Sequence, residues 1–488
     1  MQKRKLMYLI LACAVGILFL LFIAPMTGLK PQGQRLLALL AFIVIVWSTE
    51  AVSYPVSALL LIVLITLCYI DPAKSMNDSM KAGLRVAMGG LSNTTPLICM
   101  AATAFAFTVQ KCGLSQRAVF SILRLISGGK AVKARRMLLA IFCVEVPMSV
   151  MVPAATGRSA IYLALAEAMQ KPFKFSKLDD NGNDTGGNPF QKGVYILCGL
   201  LPGMMGAAFL TASPLTLMAG QMIAEGSGLQ QTWLATAMYL VLPALLLLVA
   251  FYFLILKIYP STVDDIPMNF VDDRLQELGP MNSVEKYVLL VFLITLGFWV
   301  TDKWHGIPLD VTMIAMVIAF YIPHLGPGNW KADSKGFAWN TMLIVGVSLG
   351  FVRALTANGV MKFIATWLAT FNVTSLLGIL ILVLSVLIVL RIAVSSNTGA
   401  AVLFIPLSME LGKHAGLPAT ELVCIGWVIY VFCRAGFLLP QQGSQPMLAY
   451  DFGYFSRMDQ LRLGVPLMGA ALAIYIVWGA FIMPHIVQ

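Results

Sequence analysis

The chain has 488 residues, of which 59% are hydrophobic and only 11% are charged. A mean hydropathy of +0.85 requires that lipid or other apolar segments surround most of its length, so the chain is a polytopic membrane protein and not a soluble one. The net charge of +11 comes from basic residues in the connections, a bias that membrane orientation requires, so no nucleic-acid partner is expected. The eight cysteines are scattered and there is no histidine cluster, which argues against a disulfide framework, a metal site or a resident cofactor.

Apolar segments predict six membrane helices in the first half of the chain. They cover residues 7–25, 36–48, 56–70, 97–110, 193–222 and 232–256. The connection at 111–136 carries seven Lys and Arg residues and no acidic residue. The positive-inside rule therefore places this connection in the cytoplasm.

A re-entrant hairpin is predicted at residues 137–170, between the fourth and fifth helices. Its two apolar arms are separated by a break at 153–159, and neither arm is long enough to span a hydrocarbon core of ~30 Å. The hairpin is expected to enter and leave the membrane on the cytoplasmic side. The fifth helix is interrupted at 211–216, where Pro214 removes an amide donor and clashes with the preceding turn.

The second half repeats this plan. Five membrane helices are predicted at 288–300, 311–324, 343–356, from 422 onward with a break at 439–446, and 467–484. A second re-entrant hairpin at 373–412 has its tip at Ser395-Ser396-Asn397-Thr398-Gly399. Polar backbone at membrane depth survives only where it is buried in protein or lines a watery cavity, so this tip is the central candidate for function.

Weak internal similarity supports two repeats. Residues 91–114 align with 337–360, and Thr156-Gly157 of the first tip aligns with Thr398-Gly399 of the second. The sequence therefore predicts an all-α polytopic membrane protein, with about 11 transmembrane helices and two re-entrant hairpins in an inverted repeat. The predicted units are the first repeat at 1–256, a cytoplasmic connection at 257–284 and the second repeat at 285–488. Counting crossings places the N-terminus in the cytoplasm and the C-terminus outside.

Two hairpin tips and two broken helices bring four helix ends to one point near the membrane midplane. The N-terminal ends of helices carry unpaired amide donors and a partial positive charge, which suits an anion. Hydroxyl and amide side chains can donate to a carboxylate or turn their oxygens toward a small cation. The candidate substrate-binding residues are therefore Thr156, Gly157, Thr211, Ser213, Ser396, Asn397, Thr398, Gly443 and Ser444.

Three arginines lie within apolar segments of the chain. Arg158 stands beside the first tip, where it either balances the charge of an anionic substrate or forms a structural ion pair with Glu145 or Glu167. The sequence leaves both roles open. Arg391 and Arg434 lie farther from the breaks along the chain, so we expect them to serve packing or to bind helix-end carbonyls.

Other function classes lack their motifs. Gly346-Val347-Ser348-Leu349-Gly350 fits a hydrolase pattern but lies on a membrane helix and not on a strand-to-helix turn, so the chain is not predicted to be an enzyme. No phosphate-binding loop for an ATP-driven pump is present. An anion channel is disfavoured because the sequence has no repeated acidic or carbonyl ring. A secondary transporter remains.

Three stretches carry a resemblance to a known family: Thr49-Glu50-Ala51-Val52-Ser53-Tyr54-Pro55, Ser396-Asn397-Thr398, and residues 461–466. With them, the sequence resembles the divalent-anion/sodium symporter family of di- and tricarboxylate transporters over essentially its whole length. The resemblance implies a homodimer in the cell (plasma or inner) membrane, with an elevator motion of a transport part against a scaffold. It also implies transport of succinate, malate, oxoglutarate, tartrate, citrate or sulfate.

In that family each hairpin tip carries Ser-Asn-Thr, and the tips hold the carboxylates and, in symporters, sodium. Here the second tip matches, whereas the first has Ala154 and Ala155 in place of Ser and Asn and keeps only Thr156. The first tip is similar to that of bacterial exchangers of citrate, tartrate and succinate. The resemblance thus favours an anion exchanger in which Arg158 supplies charge balance. The alternative is a sodium-coupled dicarboxylate or sulfate symporter, with a cation held by Ala154, Thr156, Asn397 and Thr398.

Overall fold

The computed structural model describes residues 2–23, 28–127, 132–171, 173–179, 185–186, 188–263, 269–393 and 396–487. Ser395 of the predicted second tip lies outside these residues. The helices of the first half are α1 (Gln2–Leu18), α2 (Pro31–Thr49), α3 (Tyr54–Cys68), α4 (Met76–Gly89), α5 (Thr94–Lys111), α6 (Leu114–Ser127), α7 (Ala134–Met151), α8 (Ala155–Ala168), α9 (Phe190–Met205), α10 (Pro214–Ser227) and α11 (Trp233–Ile258).

The second half is helical as well. Its helices are α12 (Asn269–Leu278), α13 (Ser283–Val300), α14 (Asp302–His305), α15 (Leu309–Tyr321), α16 (Trp330–Asp333), α17 (Trp339–Ala357), α18 (Val360–Ala369), α19 (Leu376–Ala393), α20 (Asn397–His414), α21 (Ala419–Arg434), α22 (Ser444–Tyr450) and α23 (Arg457–Val477). The predicted first hairpin is the pair α7 and α8, and the second is the pair α19 and α20. Each predicted helix break contains a short 3₁₀ turn, at Leu210–Ala212 and at Pro440–Gln442.

The order of elements repeats along the chain. The series α5 to α11, with its 3₁₀ turn between α9 and α10, corresponds to the series α17 to α23, with its 3₁₀ turn between α21 and α22. Packing between the repeats is reciprocal, because α10 packs against α20 and α21 while α22 packs against α8 and α9. Each broken helix therefore completes the core of the opposite repeat, as the predicted inverted repeat requires.

The described helices fit the predicted number of crossings. Six of them are long and apolar enough to cross a membrane: α1, α2, α11, α13, α17, and α23 with its continuation to His485. A further candidate joins α4 and α5 to α6 across a bend of 64°. The apolar helices α3 and α15 are shorter. Two further crossings are the helices broken by 3₁₀ turns, α9 with α10 and α21 with α22. Together these candidates agree with the expected count of about 11.

The basic connection at 111–136 is largely helical. Sequence analysis did not predict this, because the connection contains no long apolar segment. It contains α6, and α12 of the central connection packs against α6. The basic side chains find acidic partners in the second half of the chain, in the pairs Lys111–Asp333 at 2.6 Å, Arg117–Glu285 at 2.7 Å and Arg124–Asp272 at 3.1 Å. Both connections thus lie on one face of the protein.

Packing explains the hydrolase-like pattern on α17. A Cβ added at Gly346 would lie 2.3 Å from Leu91 Cδ2, and one added at Gly350 would lie 2.5 Å from the Ala87 carbonyl oxygen. The two glycines therefore allow α17 to approach the end of α4 and the loop that follows it. The Ser348 side chain between them is fully buried. The pattern serves close helix packing and places no serine in an accessible site.

Candidate functional site

The tip of the second hairpin is built around an N-cap. Ser396 is 2% exposed, and its hydroxyl accepts a hydrogen bond from the Gly399 amide at 3.0 Å, which satisfies one of the unpaired donors at the start of α20. Gly399 faces Trp47 of α2, where an added Cβ would lie 3.1 Å from Trp47 Cε3. Ser396 thus has a structural use that sequence analysis did not assign, and the tip lies directly against α2.

Arg391 connects this tip by hydrogen bonds to the helix break of the same repeat. The side chain is 2% exposed, and its Nη2 donates to Asn397 Oδ1 at 2.7 Å and to the Gln442 carbonyl oxygen at 2.6 Å. Gln442 Nε2 in turn donates to the Arg391 carbonyl oxygen at 2.9 Å. Arg391 thus binds a carbonyl oxygen, as expected, but at the break itself and not away from it. From a position six residues before Asn397, its long side chain contacts both the tip and the break.

Arg158 plays the corresponding role at the first tip. It is fully buried, and it donates to the carbonyl oxygens of Val152 at 2.5 Å, Pro202 at 2.8 Å and Ala212 at 3.4 Å. Its Nε donates to Glu145 Oε1 at 3.1 Å, and Glu145 Oε2 accepts from the Tyr162 hydroxyl at 2.7 Å. Of the two roles that the sequence left open, this geometry favours the structural ion pair, with Glu145 as the partner.

The polar side chains of the first break are used inside the protein. Thr211 is fully buried and accepts from Trp233 Nε1 at 3.0 Å. Ser213 caps α10 by accepting from the Leu215 amide at 3.2 Å, and it also accepts from Arg434 Nη1 at 2.5 Å. Both hydroxyls support the break. The contact from Arg434 also corrects the expectation that this arginine lies away from the breaks.

An open cleft of about 620 Å³ brings five of the predicted residues together. One wall is formed by the second tip and the start of α22, and it carries Ser396, Asn397, Thr398, Gly443 and Ser444. The facing wall is the joint between α2 and α3, which contributes Thr49, Glu50 and Tyr54. The Ser444 side chain is exposed and that of Thr398 is partly exposed, so both hydroxyls are available to a ligand.

The first tip does not line this cleft. Thr156 is exposed and Ala154 is partly exposed. Gly157 lies beside the end of α5, where an added Cβ would lie 2.5 Å from Gln110 Nε2. The structure therefore gathers the predicted residues of the second repeat and leaves those of the first tip at a separate location.

Behind the cleft lies a small inner cavity of about 20 Å³. Its lining includes Asn397 and Gly443, which also line the cleft, together with Gly203, Arg434 and Gln445. Sequence analysis assigned no site role to Arg434, Glu50 or Tyr54. The signal for Glu50 and Tyr54 was the polar joint at 49–55, and the signal for Arg434 was a charge inside an apolar segment.

The family model of the sodium:sulfate symporter transmembrane region matches residues 3–487. The chain belongs to the sodium:sulfate symporter family. Members of this family are membrane transporters and not enzymes. The protein is therefore a multi-pass membrane transporter. The resemblance stated from the motifs is thereby confirmed.

Curated relatives differ in the transport mode that their names give. A Cupriavidus necator protein described only as a membrane protein is 27% identical over 491 residues, covering 98% of this chain and 92% of the relative. The citrate/succinate antiporter of Escherichia coli K12 is 22% identical over 472 residues, 92% of each protein. The sodium-dependent dicarboxylate transporter SdcS of Staphylococcus aureus is 22% identical over 503 residues, 98% of this chain and 91% of the relative.

A solved structure supports the fold. The Alcanivorax borkumensis YdaH transporter is similar with a TM-score of 0.54, over 88% of this chain and 96% of that one, at 13% identity. At this identity the likeness concerns the fold alone. It agrees with the all-helical architecture of this sodium:sulfate symporter family member.

Proposed function

We propose that this protein exchanges small dicarboxylate or tricarboxylate anions, of the succinate, malate, oxoglutarate, tartrate and citrate class, across the cell membrane without sodium. The observation that carries the proposal is that an arginine occupies the contact between tip and break in each repeat. Carbonyl oxygens at unwound helix breaks are the groups that coordinate a coupling cation in transporters of this kind. Here a guanidinium uses the carbonyl oxygen of Ala212 in one repeat and that of Gln442 in the other.

A fixed guanidinium opposes a cation in two ways. It occupies the oxygens that sodium would need in exchange for its hydration shell, and its own charge repels sodium at short range. Arg158 uses the carbonyl oxygens of Val152 at the first tip and Ala212 at the first break, together with that of Pro202 in α9. At the second tip Arg391 uses Asn397 Oδ1, one of the predicted cation ligands. One of the four predicted cation ligands, Asn397, thus has its oxygen bound to an arginine, which favours exchange.

The cleft offers hydrogen-bond donors for a carboxylate. Because Asn397 Oδ1 accepts from Arg391, the Asn397 amide group is oriented so that Nδ2 can donate elsewhere. The hydroxyls of Thr398 and Ser444 line the same cleft. In our proposal these three side chains hold one substrate carboxylate, and Gly443 allows it to approach the backbone. Ser396, Thr211 and Ser213 support the site from behind.

The contacts on the two opposite faces of the protein favour a mechanism in which the substrate site opens alternately to each side. A Cβ added at Gly33, at the start of α2, would lie 2.7 Å from the carbonyl oxygen of Asn358, just after α17. The joint at the other end of α2, with the cleft beside it, therefore lies toward the start of α17, where Lys111 pairs with Asp333. On the opposite face Arg353 of α17 pairs with Glu225 of α10 and donates to the Gly89 carbonyl oxygen at 3.0 Å. We propose that this is an inward-facing state with a cytoplasmic N-terminus and an external C-terminus.

In the same proposal, an elevator displacement brings Thr156 and Gly157 to the substrate. From the family resemblance alone, we also propose that the protein is a homodimer in the bilayer.

A sodium-coupled dicarboxylate or sulfate symporter is the second candidate. Glu50 and Asp451 both line the cleft, and carboxylate oxygens are the ligands that hard cations prefer. In that case sodium would bind in the cleft and not at the carbonyl oxygens that the arginines use.

Uptake of labelled succinate into proteoliposomes distinguishes the two modes. Vesicles are prepared with and without internal dicarboxylate, and with and without an inward sodium gradient. We expect uptake that requires internal dicarboxylate and does not respond to sodium. Uptake into empty vesicles that follows the sodium gradient would instead establish the symporter. Vesicles that take up no succinate under any of these conditions would contradict both succinate exchange and a sodium-coupled dicarboxylate symporter, and labelled sulfate in the same assay then tests the sulfate symporter.

A further inference from the structure

The substrate cleft has a charge that does not suit its proposed ligand. Glu50 and Asp451 line it, and no Lys or Arg is present among the described residues of its lining. A dianion that leaves water needs compensating positive charge close by, because desolvation of an unpaired charge is costly. Arg158 does not supply it, since Glu145 pairs with that guanidinium. Arg391 lies behind the cleft wall, but its Nη2 is used by Asn397 Oδ1 and the Gln442 carbonyl oxygen. A second carboxylate would therefore need a further positive charge behind the same wall.

Arg434 lies there as the last residue of α21. Its Nη1 donates to Ser213 Oγ at 2.5 Å and to the Tyr430 hydroxyl at 3.3 Å, both neutral acceptors. Its Nε is buried and has no hydrogen-bond partner among the described residues. No carboxylate in the described part of the chain forms an ion pair with Arg434. The Arg434 side chain is partly exposed. A positive charge with an unused buried donor inside an apolar segment indicates a functional role.

A second observation concerns the space around this guanidinium. A Cβ added at Gly206 would lie 2.7 Å from Arg434 Nη2 and 3.0 Å from Arg158 Nη2. Two guanidinium groups therefore approach the same point, while Glu145 provides one negative charge for the pair. An anionic group near Arg434 would offset the remaining positive charge and the repulsion between the two arginines.

The inner cavity gives a ligand group access to Arg434. Its volume of about 20 Å³ is too small for a whole dicarboxylate but sufficient for one water-sized group. Asn397 and Gly443 line both this cavity and the open cleft, so the two spaces are adjacent. One end of an elongated anion can therefore reach Arg434 if these two residues move slightly apart.

We propose that Arg434 binds one carboxylate of the transported anion in the inner cavity, while Thr398, Ser444 and the Asn397 amide bind the other carboxylate in the cleft. This inference rests on the proposed function and deepens it, because it assigns a separate subsite to each carboxylate. A ligand with one carboxylate fills only one of them. Arg434 is thus the residue that selects dicarboxylates over monocarboxylates.

The test compares Arg434→Gln with the matched control Arg274→Gln, whose guanidinium is exposed on α12. Succinate exchange is measured in proteoliposomes, together with its inhibition by unlabelled succinate and by butyrate, which has the same four carbons and one carboxylate. We expect R434Q to raise the succinate KM at least tenfold and to abolish the preference for succinate over butyrate. R274Q should change neither. An R434Q protein that keeps both the succinate KM and the preference would overturn the inference.

Two further measurements cover other outcomes. If R434Q does not accumulate in the membrane, Arg434→Lys decides, because lysine keeps the charge but loses the planar fork that matches a carboxylate. The expected result for R434K is a severalfold higher succinate KM, and an unchanged KM would contradict the inference. If the wild-type protein carries no succinate, the proposed function fails. Thermal stabilisation of purified wild-type and R434K protein by succinate, citrate and sulfate then tests the Arg434 subsite by itself, and equal stabilisation of both proteins would overturn it.

Discussion

A buried arginine contacts each of the two hairpin tips, but the tips differ in which side chains remain available to a ligand. At the first tip, Arg158 binds three carbonyl oxygens and pairs with Glu145, and all of these groups lie inside the protein. At the second tip, Arg391 uses only one side of Asn397, so the amide group of Asn397 and the hydroxyl of Thr398 remain available to the cleft. In this state the two tips therefore differ in use: the groups around Arg158 hold the first tip inside the protein, whereas the second tip also presents Asn397 and Thr398 to the cleft.

The largest effect is expected from removing the buried ion pair between Arg158 and Glu145 at the first tip. Glu145→Gln leaves the buried Arg158 charge without its partner, and loss of one member of a buried pair costs about 3–5 kcal/mol. We expect a strongly lowered thermal unfolding temperature in detergent and little protein in the membrane. Glu167→Gln, at an exposed position on the other arm of the same hairpin, is the matched control and should behave as wild type. Equal unfolding temperatures for the two variants would show that the pair is not needed for stability.

An intermediate effect is expected at the second tip, on binding and not on folding. Thr398→Ala removes a hydroxyl that is proposed to donate to a substrate carboxylate, and a hydrogen bond to a charged group contributes about 1.5–3 kcal/mol. The succinate KM should rise by about tenfold or more, while the unfolding temperature stays near that of wild type. Thr366→Ala, which removes an exposed threonine hydroxyl on α18, serves as the control. Unchanged uptake kinetics for both Thr398→Ala and Asn397→Ala would remove the second tip from the substrate site.

The smallest effect is expected where neither tip is involved. Arg353 and Glu225 are partly exposed, with side-chain exposures of 36% and 31%, and pairs of this kind contribute about 0.2–1 kcal/mol. Glu225→Gln should therefore change the exchange rate by no more than about fivefold, because it loosens only one state of the cycle. The difference from wild type should shrink at high salt, since salt screens exposed charges. A loss of exchange as large as that of Thr398→Ala would contradict this prediction, because the pair would then be required for transport itself.

The sequence predicted the framework well because membrane architecture depends on local signals. Apolar length identified the hairpins, and the polar interruptions at 211–216 and 439–446 identified the broken helices. The second tip was recognised from Asn397 and Thr398, which have small polar side chains at membrane depth. All of these features are visible within a few residues of each other along the chain.

The remaining features depend on distances that the sequence does not contain. Arg391 lies six residues before Asn397, and only the three-dimensional arrangement shows that its side chain contacts both Asn397 and Gln442. Arg434 was placed away from the breaks for the same reason. The helices α4, α6 and α12 were missed because they are amphipathic and lie outside the long apolar segments, so hydropathy alone does not reveal them.

The reciprocal packing of the broken helices has a consequence for how the protein is made. Because α10 packs against helices of the second repeat and α22 against helices of the first, neither repeat has a complete core alone. During synthesis the first repeat enters the bilayer while its polar break still lacks the neighbours that later cover it, and unpaired backbone in hydrocarbon is costly. Helix insertion can follow the order of the chain, but the final assembly of both breaks has to wait until α20, α21 and α22 have been inserted.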